Sequence, residues 1–324
     1  MGSSCTLFPS ISFLSHRVFL QPEATVTRPD EVGRHCTSHR RDRRRTVMEH
    51  MGPSETIKKP KRPSTKPVVV LVHGFAAEGI VTWQFQVGSL AKNHAVYVPD
   101  LLFFGGSTTD SPDRSPTFQA ECLAKGLRKL GIERCTVVGF SYGGMVAFKM
   151  AEMWPELVAA VVVSGSILAM TDSISSATLG EVRVLVVVGA SAGRRRWRVV
   201  RRFSKWRRIR SSGFPIPLHR DFLEVMFNNR KERAELLEGL VVSTKDTTIP
   251  NFTQRIHLLW GENDQIFTLE HAQNMKQQLG EKATFRGIKK AGHLVQLERP
   301  CVYNRCLKEF LASLHADLKA TKTN

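Results

Sequence analysis

Ser141 stands in the stretch VVGFSYGGMVAF, with Gly139, Gly143 and Gly144 around it. Three glycines in an otherwise apolar run cost conformational entropy and remove side chains that could pack. They make sense if a tight strand-to-helix turn must hold one hydroxyl clear of its neighbours. A serine hydroxyl is a poor nucleophile at neutral pH and needs a base within hydrogen-bond reach. Of the eleven histidines, His293 in KKAGHLVQLERP is the best placed, in a loop after the last strand-like run and before the last helix. Such a base needs an acid to fix its tautomer and stabilise the imidazolium. Asp264 in LLWGENDQIF directly follows a buried-strand pattern; Glu262 is the runner-up, and Asp246, off any strand end, a distant third. Charge developing on an attacked carbonyl calls for backbone donors. The N–H of Tyr142, just after the serine, meets that need, as does the N–H of Phe75 in His73-Gly74-Phe75, or of its neighbour Ala76. His73 reads as a ring bracing its turn rather than as a catalytic group.

These residues must be carried by elements that converge. PVVVLVHGF is a continuous β-branched run ending at glycine, as a strand buried on both faces would be. A helix is predicted near Trp83–Lys92, a strand at Ala95–Asp100, a helix near Phe118–Leu130 and a strand at Cys135–Phe140. A further helix starts after Ser141 and stops at Trp154, before Pro155, and LVAAVVVSGS is the next strand. Beyond a middle region come the strand RIHLLWGEND, a helix closed by Gly280, a weaker strand KATFRGI and a final helix near Val302–Leu314. Strands alternating with helices imply an α/β architecture, a mostly parallel sheet with helices on both faces. In such sheets active groups collect at the carboxyl ends of strands, where His73, Ser141, Asp264 and His293 all fall.

The ordered set VLVHGF, YVPDLLFFGGS, VVGFSYGGMVAF, LLWGENDQIF and KKAGHLVQLERP resembles the α/β-hydrolase-fold serine hydrolases. It is similar to plant relatives of monoacylglycerol lipases and to bacterial carbon–carbon-bond hydrolases that act on ring-cleavage products. The resemblance implies a Ser141–Asp264–His293 triad, a small apolar ester as substrate and no metal or organic cofactor. A carbon–carbon hydrolase acting on a vinylogous diketone would use the same residues, and a non-catalytic receptor on the same fold is the contrasting class. Epoxide hydrolases and dehalogenases of this fold carry aspartate at the serine position, so Ser141 argues against both. Butenolide-hormone receptors usually lack a glycine at the position of Gly143.

The resemblance also implies a hydrolase domain over 67–324 with a helical lid inserted at about 171–248, and antiparallel strands ahead of the VLVHGF strand. Residues 1–66 offer no convincing strands and read as a disordered or targeting extension. Leu102 and Phe103 replace a usual Pro-Gly and make that loop bulkier. Residues 181–212 depart most, from VRVLVVVGASAG into RRRWRVVRRFSKWRRIRSS. As a helix the latter segment would align Trp197, Val200, Phe203 and Trp206 opposite its charges, a pattern suited to peripheral contact with an anionic membrane. The alternatives are a solvated insert or the product of a shifted frame or retained intron, and the abrupt change in composition favours the last.

The net charge of +18 would suggest a nucleic-acid partner if it were spread over the body. It is not. Residues 34–66 hold 11 Lys/Arg against 3 acids, and residues 181–212 hold 11 against 1, which together account for the whole excess. No nucleic-acid partner is therefore expected. Six cysteines without framework spacing read as reduced thiols, placing the chain inside the cell, in the cytoplasm. The opening MGSSCT also fits a lipidation pattern, and the acid-free, serine-rich first 22 residues fit a chloroplast transit peptide.

Overall fold

The computed structural model describes residues 5–6, 66–75, 77–171, 229–242 and 249–320. In chain order the strands are β1 (Cys5–Thr6), β2 (Val68–Val72), β3 (Ala95–Tyr97), β4 (Thr108–Thr109), β5 (Cys135–Phe140), β6 (Val158–Ser164), β7 (Met170–Thr171), β8 (Val241–Val242), β9 (Arg255–Gly261) and β10 (Ala283–Ile288). The helices are α1 (Gly79–Thr82), α2 (Gln84–Leu90), α3 (Pro116–Lys129), α4 (Tyr142–Met153), α5 (Arg230–Glu238), α6 (Leu269–Leu279), α7 (Val295–Glu298) and α8 (Pro300–Ala320).

Six strands form one wholly parallel sheet in the order β10-β9-β6-β5-β2-β3. The β-branched runs suit it because its central strands are covered on both faces; every residue of β5 is buried. The two-residue side-chain period divides the core. Val70, Val72, Val137, Val161 and Val163 face α3, α4 and α6, while Val69, Leu71, Val138 and Val162 face α2 and α8. Each such side chain, fully buried, contributes about 1.5–3 kcal/mol. Register brings the carboxyl ends of the strands level: Val72 lies beside Gly139 and Gly139 beside Val163. The residues that follow β2, β5 and β6 therefore emerge along one edge.

Several boundaries differ from the sequence reading. The strand expected over Ala95–Asp100 ends at Tyr97, and the Asp100 carboxylate instead accepts the Gly79 N–H at 2.7 Å, turning the chain toward α1. The last helix starts at Pro300 and runs to Ala320, preceded by the separate turn α7. Within the stretch predicted to lack strands, Cys5–Thr6 pairs antiparallel with Thr108–Thr109. The cysteines are not all reduced: Cys122 is disulfide-bonded. Cys135, Cys301 and Cys306 are free thiols. Met170–Thr171 pairs in parallel with Val241–Val242, joining the chain where it leaves and re-enters around the predicted lid. The basic segment 181–212, most of the lid, Ala76 and Asp246 lie outside the described residues. No helix among the described residues is long and apolar enough to cross a membrane.

Candidate active site

Ser141 sits between the end of β5 and the first residue of α4 with φ 53° and ψ −121°, a backbone state that L residues avoid. Such strain costs about 1–3 kcal/mol and persists only where the surroundings over-determine it. Here they do. The Ser141 N–H donates to Ser164 O at 2.9 Å, and the Gly144 N–H donates to Ser141 O at 2.8 Å. The glycines predicted to let the turn close are under direct steric demand. A Cβ on Gly139 would lie 2.4 Å from Gly143 O, and one on Gly143 would lie 2.3 Å from His73 O. The helix end is thus pressed against β5 and against the turn after β2.

Two measurements fix what surrounds Ser141. A Cβ on Gly74 would stand 3.1 Å from Ser141 Cβ, so the His73-Gly74-Phe75 turn abuts the serine. On the other side, a Cβ on Gly165 would stand 2.9 Å from the His293 ring and 3.2 Å from Asp264 Oδ2. Gly165 directly follows Ser164, whose carbonyl holds Ser141. The His293 ring also lies 4.9 Å from the ring of Phe140, the residue before the serine.

Asp264 and His293 are joined. His293 Nδ1 donates to Asp264 Oδ2 at 2.9 Å. The other carboxylate oxygen accepts the N–H groups of Ile266 (2.9 Å) and Phe267 (3.1 Å), which lock its orientation. The acid's side chain is 1% exposed and the histidine's 16%, so the pair is dry on the acid side and open on the other. Glu262, the runner-up, lies over Gly287 of β10: a Cβ there would be 2.7 Å from Glu262 Oε1. Both follow the end of β9 at Gly261, and of the two it is Asp264 that faces the histidine.

His73 is fully buried and braces two loops. Its Nδ1–H donates to Gly74 O at 2.7 Å, and its Nε2 accepts the Leu101 N–H at 2.9 Å. Burial holds its pKa below the usual imidazole value, against the raising effect of the Asp100 carboxylate 3.9 Å away. A neutral ring with one donor and one acceptor is what this bridge requires. Phe75 and Tyr142, whose N–H groups are the predicted oxyanion donors, meet edge to face at 5.6 Å. As the first residue of α4, Tyr142 has an N–H with no carbonyl one turn back to bind.

Residues not anticipated from sequence complete the surroundings. Phe103 has φ 70°, and its carbonyl accepts from both Asn229 Nδ2 (3.2 Å) and Arg233 Nε (3.0 Å) of the α5 region. The Arg233 guanidinium lies 4.2 Å over the Phe104 ring, and burial pulls its pKa down to about 10, with the Glu78 and Asp100 carboxylates opposing. At this positive φ Phe103 adopts a backbone state that glycine takes more readily, and Asn229 and α5 hold it there. Among the described residues no three His, Cys, Asp or Glu side chains cluster as metal ligands would. A groove of about 580 Å³ near Ser89, Cys301 and Asn304 is lined by none of the site residues.

A parallel sheet with a strained serine elbow at its middle strand, and an acid–histidine pair two strands away, has the layout of an α/β hydrolase. Residues 69–305 match the model of the alpha/beta hydrolase family, and the chain belongs to that family. Epoxide hydrolase 3 of Xenopus tropicalis is 24% identical over 271 residues, spanning 76% of this chain and 71% of the relative. Human epoxide hydrolase 4 is 30% identical over 102 residues, and this match spans only 27% of that protein's length. Among solved structures, the 2-hydroxy-6-oxo-6-phenylhexa-2,4-dienoate hydrolase of Rhodococcus sp. strain RHA1 superimposes with a TM-score of 0.63. It is 24% identical, covering 76% of this chain and 91% of that one, a likeness of fold.

Proposed function

We propose that the protein is a serine esterase acting on small apolar esters through Ser141, His293 and Asp264. The observation that carries this reading is the 2.9 Å His293–Asp264 hydrogen bond beside a serine held at φ 53°. With Nδ1–H committed to Asp264, the imidazole is left with Nε2 as its free base. Ser141 Oγ attacks the ester carbonyl carbon as Nε2 takes its proton. The Phe75 and Tyr142 N–H groups donate to the oxyanion of the tetrahedral intermediate. Collapse of that intermediate expels the alcohol, protonated by His293, and water repeats the sequence on the acyl-enzyme. Asp264 stays ionised and steadies the imidazolium. Phe75, Phe140 and Phe267 around the site favour an apolar acyl group; Phe267 lies 5.9 Å from the His293 ring.

The epoxide hydrolase relatives bear on substrate through the nucleophile. A carboxylate that opens an epoxide leaves an ester, which water can cleave. A serine would leave an ether with no carbonyl to attack, and the enzyme would not turn over. Ser141 therefore favours acyl transfer.

The test is labelling of the purified protein with a fluorophosphonate probe, together with turnover of p-nitrophenyl butyrate. Wild type is expected to label at Ser141 and to hydrolyse the ester, and Ser141→Ala to do neither. A protein that takes no label, or a Ser141→Ala variant that labels equally well, refutes the nucleophile. A chromogenic vinylogous diketone run alongside separates ester from carbon–carbon cleavage.

A further inference from the structure

We infer that Glu298 is a positioning residue that sets the His293 backbone for proton transfer; this rests on the esterase reading above. Glu298 Oε2 accepts the Gly292 N–H at 2.9 Å, and Oε1 accepts the Leu294 N–H at 3.2 Å. One carboxylate therefore grips the peptide N–H groups immediately before and after His293. Gly292 allows the approach, since a Cβ there would stand 3.1 Å from Glu298 Oε1.

A simpler role would be to cap α7, whose first free N–H groups need acceptors. Capping accounts for the bond to Leu294, the N-cap residue of α7. It does not account for the bond to Gly292, two residues earlier and outside the helix. That second bond reaches across the histidine, and a bidentate acceptor spanning a residue fixes the direction in which its side chain leaves the chain.

The loop is held on its opposite side as well. The Asn263 N–H donates to Ala291 O at 2.8 Å, and the Glu262 N–H to Ile288 O at 3.1 Å, tying the acid's loop to the histidine's. Lys290, at φ 58°, makes the reversal between these anchors. His293 is thereby positioned by three holds: Asp264 on its ring, Asn263 on the Ala291 carbonyl two residues earlier, and Glu298 on both flanking N–H groups. Glu298 is exposed, so its removal lets water reach those N–H groups without leaving a buried polar group unmet. The fold survives, and the aim of the ring is what loosens.

The experiment measures fluorophosphonate labelling rate and end point, and ester kcat and KM, for wild type, Glu298→Ala and Glu298→Gln. Misplacement by a fraction of an ångström to 1 Å costs up to ~10² in rate. Glu298→Ala is accordingly expected to label roughly 10–100-fold more slowly, with a matching fall in kcat and KM within about twofold. Its end point stays at the wild-type level, because every folded molecule still holds Ser141. Glu298→Gln keeps one acceptor oxygen but presents an NH₂ that cannot accept, so its rate falls between the other two. A Glu298→Ala rate within twofold of wild type overturns the proposal. A loss confined to end point or melting temperature also overturns it, since that would mark a purely structural role. A wild type that takes no label refutes Ser141 itself, a different failure from an active wild type indifferent to Glu298.

Discussion

Replacing Gly143 by alanine adds one methyl group where the structure leaves no room. The new Cβ would lie 2.3 Å from His73 O, 2.4 Å from Val72 O and 2.8 Å from Val72 C. All three atoms are main chain of β2 and its turn, so no side chain can swing aside. Reaching an ordinary contact of 3.4 Å requires a shift of roughly 1 Å between α4 and β2. Overpacking of this kind costs about 1–3 kcal/mol in stability. Its effect on turnover is larger in proportion, because the shift separates the two faces of the site. Ser141 and the Tyr142 N–H travel with α4, and the Phe75 N–H stays with β2. A 1 Å error at reacting groups costs on the order of 10²-fold. The control is Gly131→Ala: Gly131 has φ 77° and open space around it, so alanine there brings about 1–2 kcal/mol of backbone strain and no clash. Urea unfolding and p-nitrophenyl butyrate kinetics on both variants separate the terms. Both are expected to lose similar stability, and only Gly143→Ala to lose about 10² in kcat. A Gly143→Ala enzyme within threefold of wild type, or a Gly131→Ala enzyme equally impaired, refutes the reasoning.

Two further outcomes follow from buried titratable groups. Burial, with Arg286 and Arg255 adding, holds His257 at about 4, below its ordinary 6.5. Between those values the unfolded chain binds a proton that the folded chain refuses, so stability falls as pH drops through this window. The loss from pH 7 to pH 5 is about 2 kcal/mol. His257→Phe, which keeps a ring against Phe310, should show a smaller drop in urea midpoint over that range; equal drops would exclude His257 as the cause. Burial also pushes the Cys135 thiol up to about 12, whereas Cys301 is exposed. Iodoacetamide at pH 8 should modify Cys301 in the native protein and Cys135 only after denaturation, read by peptide mass mapping, and equal native rates would contradict this.

The sheet was legible because parallel strands buried on both faces must be written as near-continuous Val, Ile and Leu, as in VVVLV and CTVVGF. The elbow was legible because Gly139 and Gly143 sit where a Cβ would strike main chain. The choice of Asp264 over Glu262 was made from its place at the strand end. What orients it, the N–H groups of Ile266 and Phe267, leaves no mark in residue type. Glu298 was hidden for the same reason: it binds peptide groups, which every residue carries. Phe103 was misleading, since it occupies a left-handed position that would normally advertise itself as glycine. Cys122 read as one more reduced thiol, and cysteines without framework spacing give no local pattern to announce a bridge.

The two-residue ladder between Met170–Thr171 and Val241–Val242 brings the two ends of the interval between them side by side. For a loop so closed, doubling the length costs only about 0.6 kcal/mol of closure entropy. Of the described part of that interval, α5 holds to the body directly, through Asn229 and Arg233 on Phe103 O and Glu235 on Arg114. A change of length between the two short strands therefore costs little, and the register of β6 against β9 is set by its own pairs, from Ala160 beside Arg255 to Val163 beside Leu258.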